Sequence, residues 1–383
     1  MIQNRLDDLL QGFLNNGPAG VALSVKKDKQ SIYENYFGYA DLSKQKEINS
    51  KTIYRIYSMS KVITCVAGLQ LMEQGKILLT DPLSAYLPEF QNMQVLENGQ
   101  LVLAKREIMV KDLCTMTSGL TYGGERTEVE RMTSQVMAEV RDEERSLNVS
   151  KLRLLTKKLS KNPLEFHPGT HWKYGLSHDV LGALIEEVSG QSFGEYLAEN
   201  IFQPLGMQDT FFNVPLAKKH RLATLYDRKE TGELVKNTKL DSYAEPIAVF
   251  ESGGAGLHST LEDYQKFAHC LALGGTINHV TILSKHTIEL MAQNHLPDEL
   301  LPELGWNDEN GYGYGLGVRV MIDQTRGGSN SSIGEFGWSG LAGTYVFIDP
   351  KEKLSAVYMQ QMLPNFEFYH QPRIRNVIYG ALL

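Results

Sequence analysis

Ser58 and Lys61 stand three positions apart in the segment Ser58-Met59-Ser60-Lys61, and together they could form a nucleophile that neither forms alone. A serine hydroxyl attacks carbonyl carbon poorly at neutral pH unless a neighbouring base accepts its proton. A lysine can take part where burial or a neighbouring group changes the protonation of its amine. Side chains at positions i and i+3 share one face of a helix but diverge on a strand. The pair therefore predicts nucleophilic chemistry only if the segment is helical.

The Ser-x-x-Lys pattern occurs three times, so its surroundings have to distinguish the copies. Ser24 and Lys27 lie in a β-rich run, where the two side chains should point apart. Ser43 and Lys46 lie in a polar stretch typical of a solvated loop. Ser58 instead begins a segment with apolar residues at helical spacing and a terminal glycine, namely Val62, Val66, Leu69, Met72 and Gly75. This copy is the catalytic candidate, and the alternative is that Ser58 only caps the helix.

Two further segments could complete such a site. Tyr174 lies in a turn-rich loop before an apolar helix, and a nearby lysine ammonium would favour its phenolate as an acceptor for the serine proton. The glycine-rich segment 334–344 reads as a strand whose N–H groups could approach an acyl oxygen. Either feature alone could be structural, as a packed tyrosine or an edge strand. The three segments together predict acyl transfer.

The elements that must position these groups indicate an α/β (α+β) fold, with an antiparallel sheet flanked by terminal helices and a large, mainly helical insertion. Strand-like sequence appears near both ends of the chain, at 19–26, 31–40, 316–322, 343–348 and 354–361. Helical sequence begins and ends the chain and dominates its middle, near 178–189, 192–202 and 260–273. We therefore predict a discontinuous sheet domain, 1–62 and 246–383, and a helical domain, 63–245, with the active site in the cleft between them.

Composition excludes several classes of function. A chain of 383 residues with 42% hydrophobic content can bury a sizeable core. The net charge of −7 is spread along the sequence without a basic run, so we expect no nucleic-acid partner. No segment is apolar over the length of a bilayer, and the N-terminal segment lacks the features of a signal peptide. We expect no membrane partner and a cytoplasmic location.

Neither a metal site nor a cofactor site is predicted. The cysteines are odd in number and far apart, at Cys65, Cys114 and Cys270, which fits neither a disulfide framework nor a zinc ribbon. The histidines between His167 and His178 share their segment with Pro168 and Gly169, so no single helix can present them together. The run Gly311–Gly317 alternates as a strand would and is not followed by a helix, unlike a dinucleotide loop.

Several motifs follow one another along the chain in a recognisable order. They are Ser58-Met59-Ser60-Lys61, Asp112-Leu113-Cys114-Thr115-Met116-Thr117-Ser118-Gly119-Leu120, Trp172-Lys173-Tyr174 with Asp179-Val180-Leu181-Gly182, Gly253-Gly254-Ala255-Gly256-Leu257, and Trp338-Ser339-Gly340 with Gly343-Thr344. This set resembles the serine β-lactamase and penicillin-binding-protein superfamily over nearly the whole chain. Its pattern is most similar to the class C-like branch that includes the family VIII carboxylesterases.

The resemblance implies a role for each matching position. Ser58 would be the nucleophile, Lys61 and Tyr174 would form the base pair, and the N–H groups of Ser58 and Leu341 would form the oxyanion hole. It leaves open whether Lys61 or Tyr174 is the resting general base. The segment Trp338-Ser339-Gly340 would lie along the substrate.

Two departures from the β-lactamase pattern concern the substrate. Leu176 replaces the asparagine that contacts the amide side chain of a β-lactam, and Trp338-Ser339-Gly340 replaces a Lys-Thr-Gly whose cation pairs with the antibiotic's carboxylate. Losing that cation removes an attraction for anionic substrates, and an indole offers an apolar wall instead. Both changes favour a neutral ester.

These observations predict a serine hydrolase that forms an acyl-enzyme on Ser58 and acts on small-molecule esters or amides, carboxylic esters above all. The alternatives are a β-lactamase or D-amino peptidase, and an acyltransferase that uses the same acyl-enzyme. A catalytically silent binding module is the non-enzymatic alternative, and the retention of Ser58, Lys61 and Tyr174 argues against it. The sequence leaves the acyl chain and the oligomeric state open.

Overall fold

The computed structural model describes residues 2–15, 17–143, 150–240, 250–305 and 311–382. The helices are α1 (Ile2–Leu14), α2 (Ser60–Glu73), α3 (Val110–Thr115), α4 (Glu128–Glu143), α5 (Lys151–Leu159), α6 (Ser177–Ser189), α7 (Phe193–Leu197), α8 (Gln203–Leu205), α9 (Leu261–Ala272), α10 (Lys285–Met291), α11 (Gln324–Gly327) and α12 (Glu367–Tyr379). The strands are β1 (Gly20–Lys27), β2 (Gln30–Asp41), β3 (Lys46–Glu47), β4 (Ile53–Arg55), β5 (Gln94–Glu97), β6 (Gln100–Leu103), β7 (Tyr226–Arg228), β8 (Leu234–Lys236), β9 (His258–Thr260), β10 (Thr276–Ile277), β11 (Val280–Thr281), β12 (Tyr312–Tyr314), β13 (Arg319–Met321), β14 (Phe336–Ser339), β15 (Tyr345–Asp349), β16 (Leu354–Met359) and β17 (Met362–Leu363).

An eight-stranded antiparallel sheet joins the two ends of the chain. Its strand order is β12-β13-β14-β15-β16-β1-β2-β3. The first strand pairs with one of the last, so that Ala22 lies opposite Met359 and Lys27 opposite Leu354. The α+β fold with a sheet built from both termini, predicted from the sequence, is confirmed.

Both faces of the sheet are buried. Successive side chains of a strand point to opposite sides, so one strand contributes to two hydrophobic clusters. Val21, Leu23 and Val25 of β1 join a cluster with residues of α1 and α12 on one face. Ala22, between them, belongs to the larger core on the other face. The terminal helices thus cover one side of the sheet, and α2, α9 and the helical part of the chain cover the other.

Helix α2 lies at the centre of this larger core. All of its residues from Ser60 to Leu71 are buried, which is typical of a helix enclosed by protein on every side. It packs against α6 of the helical part and touches β14 of the sheet. The N-terminus of α2 therefore lies where the sheet and the helical part meet. The predicted division into two domains stays a prediction, and its boundary at residue 246 falls outside the described residues.

Some predicted elements differ in extent. The closing helix was predicted to start near Arg373. It begins earlier, at Glu367, and contains Pro372. The glycine-rich run 311–317 forms a strand only over Tyr312–Tyr314. A turn follows directly, in which the Gly315 N–H donates to the Val318 carbonyl oxygen and Gly317 has a φ of +76°, a conformation that glycine permits. The predicted helix at 192–202 is α7 continued by a π-helical turn, Ala198–Phe202. None of the described helices is both long and apolar enough to cross a membrane.

Candidate active site

Ser58 lies on a 3₁₀ turn, Tyr57–Met59, between β4 and α2. The preceding residue, Tyr57, has a φ of +43°, a conformation that bulky residues adopt only where the surrounding structure enforces it. Met59, rather than Ser58, is the cap residue of α2, and no side chain caps this end. The Ser58 hydroxyl instead accepts a hydrogen bond of 3.1 Å from Lys61 Nζ. The prediction that Ser58 and Lys61 approach each other is correct, and the cap-only alternative is wrong.

The structure also separates the other two copies of the pattern. Ser24 is fully buried within β1 and its hydroxyl faces Glu34, whereas Lys27 at the strand's end pairs with Glu352. Ser43 lies in an exposed turn and donates to Asp41. The Ser24 copy is structural and the Ser43 copy lies at the surface, as their surroundings predict.

Lys61 is completely buried, and each proton of its ammonium group has an acceptor. Besides Ser58, Nζ donates to Tyr122 Oη at 3.0 Å and to the Gly254 carbonyl oxygen at 2.6 Å. Burial acts to lower the pKa of Lys61, but the Tyr122 and Tyr174 phenols outweigh it and hold that pKa above its usual value. The group next to the serine at rest is therefore an ammonium ion.

Tyr174 also lies beside the lysine. Its ring centroid is 4.5 Å from Lys61 Nζ, and its hydroxyl accepts a 3.0 Å hydrogen bond from the indole N–H of Trp338. An indole can only donate, so this contact leaves the tyrosine's own proton available. The sequence predicted only that Trp338 forms an apolar wall of the cleft. Its nearly buried indole also donates the hydrogen bond that holds the Tyr174 phenol in place.

Tyr122 is the residue of this site that sequence reasoning missed. Its hydroxyl contacts Lys61, and its ring packs edge-on against Tyr174 with centroids 5.6 Å apart. Burial raises the pKa of Tyr122, and the neighbouring Lys61 opposes that rise only in part. The available signal was its position, two residues after the motif that ends at Leu120.

The glycine loop before β9 has a defined place in the site. Its Gly254 carbonyl accepts from Lys61, and its Gly253 carbonyl accepts from Thr64 of α2 at 2.7 Å. The buried carboxylate of Asp179 holds the loop from behind, since its Oδ1 accepts from Ser252 Oγ at 2.5 Å and from the Gly254 N–H at 3.3 Å. Burial raises the pKa of Asp179 despite these hydrogen bonds. The motifs that contain Asp179 and Gly254 had no predicted role. Together they hold the Gly254 carbonyl, which accepts a hydrogen bond from Lys61.

The end of β14 packs against the 3₁₀ turn that carries Ser58. The Gly340 carbonyl accepts from Gly343 at 2.8 Å, which fixes the peptide whose other end is the Leu341 N–H. A methyl group at Gly340 would overlap the Ile56 carbonyl oxygen, so glycine permits the strand to approach the Ser58 segment. Among the described residues, neither the Ser58 nor the Leu341 N–H has an acceptor within the protein. Two unused donors are what an oxyanion hole requires.

The remaining predicted positions differ in their exposure. Leu341 is 50% exposed, at the rim of the cleft. Leu176 is only 2% exposed and lies in the core, so its position has no hydrogen-bonding side chain and offers little surface to a substrate. The half-buried Ser339 donates a hydrogen bond of 2.8 Å to Glu367 of α12.

The histidines and cysteines considered as metal ligands have other surroundings. His178 Nε2 lies 3.1 Å from Cys65 Sγ in the core, His171 pairs with Glu303, and His167 Nδ1 accepts from the Lys105 N–H. Across the part of the chain that the structure describes, no three ligating side chains converge on one point.

Comparison with known proteins relates this geometry to a family. The family model described as Beta-lactamase matches residues 6–378. Esterase EstB of Burkholderia gladioli is 26% identical, with 89% of this chain and 85% of the esterase covered. The acyltransferase calJ of Penicillium decumbens is 28% identical, with 87% and 81% covered.

A solved structure has the same fold. EstCE1, described as a hydrolase with promiscuous acyltransferase activity, superposes with a TM-score of 0.83 at 24% identity, with 98% of both chains covered. The family match spans the serine, the lysine, both tyrosines and the β14 strand that meet in the cleft. The chain belongs to the beta-lactamase family.

Proposed function

We propose that this chain hydrolyses small carboxylic esters through an acyl-enzyme on Ser58. The observation that carries the proposal is the contact of 3.1 Å between Ser58 Oγ and a buried lysine ammonium that is flanked by two phenols. Family membership already places the chain among serine-hydrolase-type enzymes. The finer assignment to esters rests on the substrate side of the cleft.

The proposed acylation step assigns one task to each group. Ser58 Oγ attacks the ester carbonyl carbon, and its proton passes to the phenolate form of Tyr174. The carbonyl oxygen becomes an oxyanion that accepts hydrogen bonds from the N–H groups of Ser58 and Leu341. When the tetrahedral intermediate collapses, the bond to the alcohol oxygen breaks, and Tyr174 returns the proton to the departing alcohol.

Deacylation repeats these transfers with water. A water molecule attacks the acyl carbonyl carbon and gives a proton to Tyr174, and the bond to Ser58 Oγ then breaks as the serine regains that proton. The acid product and the free enzyme result. Lys61 stays an ammonium ion throughout and stabilises the phenolate electrostatically.

Tyr174 is a better proton carrier than Tyr122 for a geometric reason. The Trp338 indole donates to Tyr174, and the Lys61 ammonium lies 4.5 Å from its ring centroid, so a phenolate there would have a hydrogen-bond donor and a nearby positive charge. Tyr122 lies against the Gly254 and Asp179 side of the lysine, where the nearby carboxylate disfavours a phenolate. We therefore assign proton transfer to Tyr174, and to Tyr122 the positioning of the lysine.

The substrate side of the cleft favours esters over β-lactams. At the Leu176 position a buried leucine offers no hydrogen bond to an amide side chain. At Trp338, an indole stands where the family's β-lactamases carry a lysine for the antibiotic's carboxylate. Esterase EstB, a relative over most of the chain, supports the same substrate class.

A second candidate is acyl transfer to an alcohol or amine in place of water. The observation in its favour is the relationship to the acyltransferase calJ. The chemistry up to the acyl-enzyme is identical, and an acceptor bound in a dry cleft would outcompete water.

Turnover of short- and medium-chain nitrophenyl esters, measured beside a chromogenic cephalosporin, tests the proposal. The wild-type protein should cleave the esters, and Ser58→Ala should abolish this activity. Ser43→Ala, in the exposed copy of the same pattern, is the matched control and should keep it. Ester cleavage that survives Ser58→Ala would overturn the proposal, as would efficient cephalosporin cleavage with negligible ester turnover. Faster product formation on adding an alcohol, with the alkyl ester as product, would identify a transferase.

A further inference from the structure

Lys173, the residue immediately before Tyr174, is bound between two carboxylates. Its Nζ lies 3.0 Å from Glu130 Oε1 and 3.2 Å from Glu165 Oε1. The exposed fractions of the side chains are 28% for the lysine, 11% for Glu130 and 17% for Glu165. Partly buried charges are screened less by salt and water than a pair at the surface. The two ion pairs therefore restrain where Lys173 can lie.

Glu130 lies in the first turn of α4 and holds the loop that follows Tyr122. Its carbonyl oxygen accepts from the Gly124 N–H at 3.2 Å, and its Oε2 accepts from the Arg126 N–H at 2.9 Å. Burial acts to raise the pKa of Glu130, but hydrogen bonds from Lys173 and from the Arg126 N–H outweigh it and hold that pKa below its usual value. The carboxylate therefore remains ionised beside the lysine at neutral pH.

Glu165 connects Lys173 to the same region of the chain. Its Oε2 accepts from Thr127 Oγ1 at 2.8 Å, and Thr127 Oγ1 also accepts from the Glu130 N–H at 3.1 Å. The three charged side chains and this threonine thus form one network, which joins the segment before Tyr174 to the start of α4.

The loops of the two tyrosines also touch directly. A Cβ atom at Gly175, the residue after Tyr174, would lie 2.9 Å from Cα of Thr121, the residue before Tyr122. Tyr174 is therefore held against the Tyr122 loop at the residue before it and at the residue after it. Its ring centroid is 4.5 Å from Lys61 Nζ, and the Tyr122 hydroxyl is 3.0 Å from the same atom. A shift of either loop would change the distance of its phenol from the ammonium.

We propose that Lys173 is a positioning residue for ester hydrolysis. Its ion pairs with the two glutamates hold the Tyr174 phenol where it can exchange a proton with Ser58. This inference rests on the proposed proton transfer through Tyr174 and adds a residue that acts through the tyrosine. Misplacing a reacting group by about 1 Å can lower a rate about 10²-fold. Because the restraint acts on the proton carrier, its loss should lower kcat far more than it changes KM.

Lys173→Met, Lys173→Arg and Glu130→Gln test this inference with a nitrophenyl butyrate as substrate. The kcat is expressed per reactive Ser58, counted by titration with an aryl phosphonate, so that inactive protein does not contribute. Lys173→Met should lower kcat about 10- to 100-fold and leave KM within about twofold. Lys173→Arg keeps the positive charge and should recover most of that kcat. Glu130→Gln should cost less kcat when it is added to Lys173→Met than when it is made alone, because both substitutions act on one ion pair.

Lys266→Met is the matched control. Lys266 also pairs with two carboxylates, Glu262 at 3.0 Å and Asp263 at 3.1 Å, and its side chain is 30% exposed. Both of these pairs lie within α9, so Lys266→Met should leave kcat per reactive Ser58 unchanged. Thermal unfolding of each variant shows whether the fold is intact, and if Lys173→Met does not fold, Glu130→Gln gives the same test with a smaller loss of kcat.

The outcomes separate this inference from the function on which it rests. An unchanged kcat in Lys173→Met, a change confined to KM, or an equal loss in Lys173→Arg would refute the positioning role and leave ester hydrolysis standing. If the wild type does not cleave the ester, the proposed hydrolysis fails, and the rate at which the phosphonate labels Ser58 takes the place of kcat. That rate should fall in Lys173→Met and recover in Lys173→Arg, and an unchanged rate in Lys173→Met would refute the inference.

Discussion

The two sides of the cleft differ in how completely their polar groups are paired. Around Lys61, all three ammonium protons have acceptors, and the Gly254 carbonyl is held in turn by a buried network. At the end of β14, the Leu341 N–H has no acceptor among the described residues, and the Leu341 side chain is 50% exposed. The paired side is preorganised for proton transfer, whereas the unpaired side is open to what the substrate brings.

This difference separates the reaction from the choice of substrate. Changes on the Lys61 side should slow every ester alike, because they act on proton transfer and on the nucleophile. Changes on the β14 side should alter the ranking of substrates, because they act on groups that only some substrates carry.

The largest expected effect comes from removing the ammonium. Lys61→Met should lower kcat by about 10³-fold or more for every ester, since the phenolate loses its cation and Ser58 its hydrogen-bond donor. Steady-state kinetics over several acyl chains would measure it. A loss confined to some esters would show that Lys61 acts on substrate binding.

The two tyrosines should differ in size of effect. Tyr174→Phe should lower kcat by about 10²- to 10³-fold, because the proton carrier is gone. Tyr122→Phe should cost only about tenfold, because it removes one of three acceptors from Lys61 while Tyr174 remains.

Labelling of Ser58 by an aryl phosphonate gives an independent check. The labelling rate should fall more in Tyr174→Phe than in Tyr122→Phe, because the serine proton passes to Tyr174. The reverse order would make Tyr122 the proton carrier.

An effect as small as that of Tyr122→Phe is expected at Asp179, which acts through the glycine loop. Asp179→Asn should lower kcat by about tenfold with little change in KM, because Gly254 moves relative to Lys61. Burial raises the pKa of Asp179 above 3.8, so its contribution to stability is greatest below that pH and falls as pH rises through its folded-state pKa.

Urea unfolding at several pH values measures this contribution. The free energy of unfolding of wild type relative to Asp179→Asn should decrease as pH rises from about 3 toward neutral. A relative free energy that increases over this range would mean that the carboxylate is favoured in its ionised form by the folded protein.

The sequence predicted the parts of the site that are local in the chain. The placement of Ser58 and Lys61 on one face follows from helical spacing, and the sheet from strand-like sequence at both ends. Tyr174 and the β14 glycines were found because each stands in a motif of its own.

The contacts between distant segments could not be read in the same way. The approach of Tyr122 to Lys61 and of Ser339 to Glu367 depends on how the segments pack in three dimensions, and no periodicity records it. The hydrogen bond from Trp338 to Tyr174 is a further case. An indole has both an apolar ring and an N–H donor, and the sequence alone does not show which residue accepts from that donor.

The central claim is that Ser58 becomes acylated, and rapid-quench mass spectrometry of the intact protein with a slowly released nitrophenyl ester tests it most directly. We predict an added mass equal to the acyl group within the first turnover, located by peptide mapping on the segment containing Ser58, and its absence from Ser58→Ala. Turnover without any acylated protein, or acylation of another residue that persists in Ser58→Ala, would contradict the account.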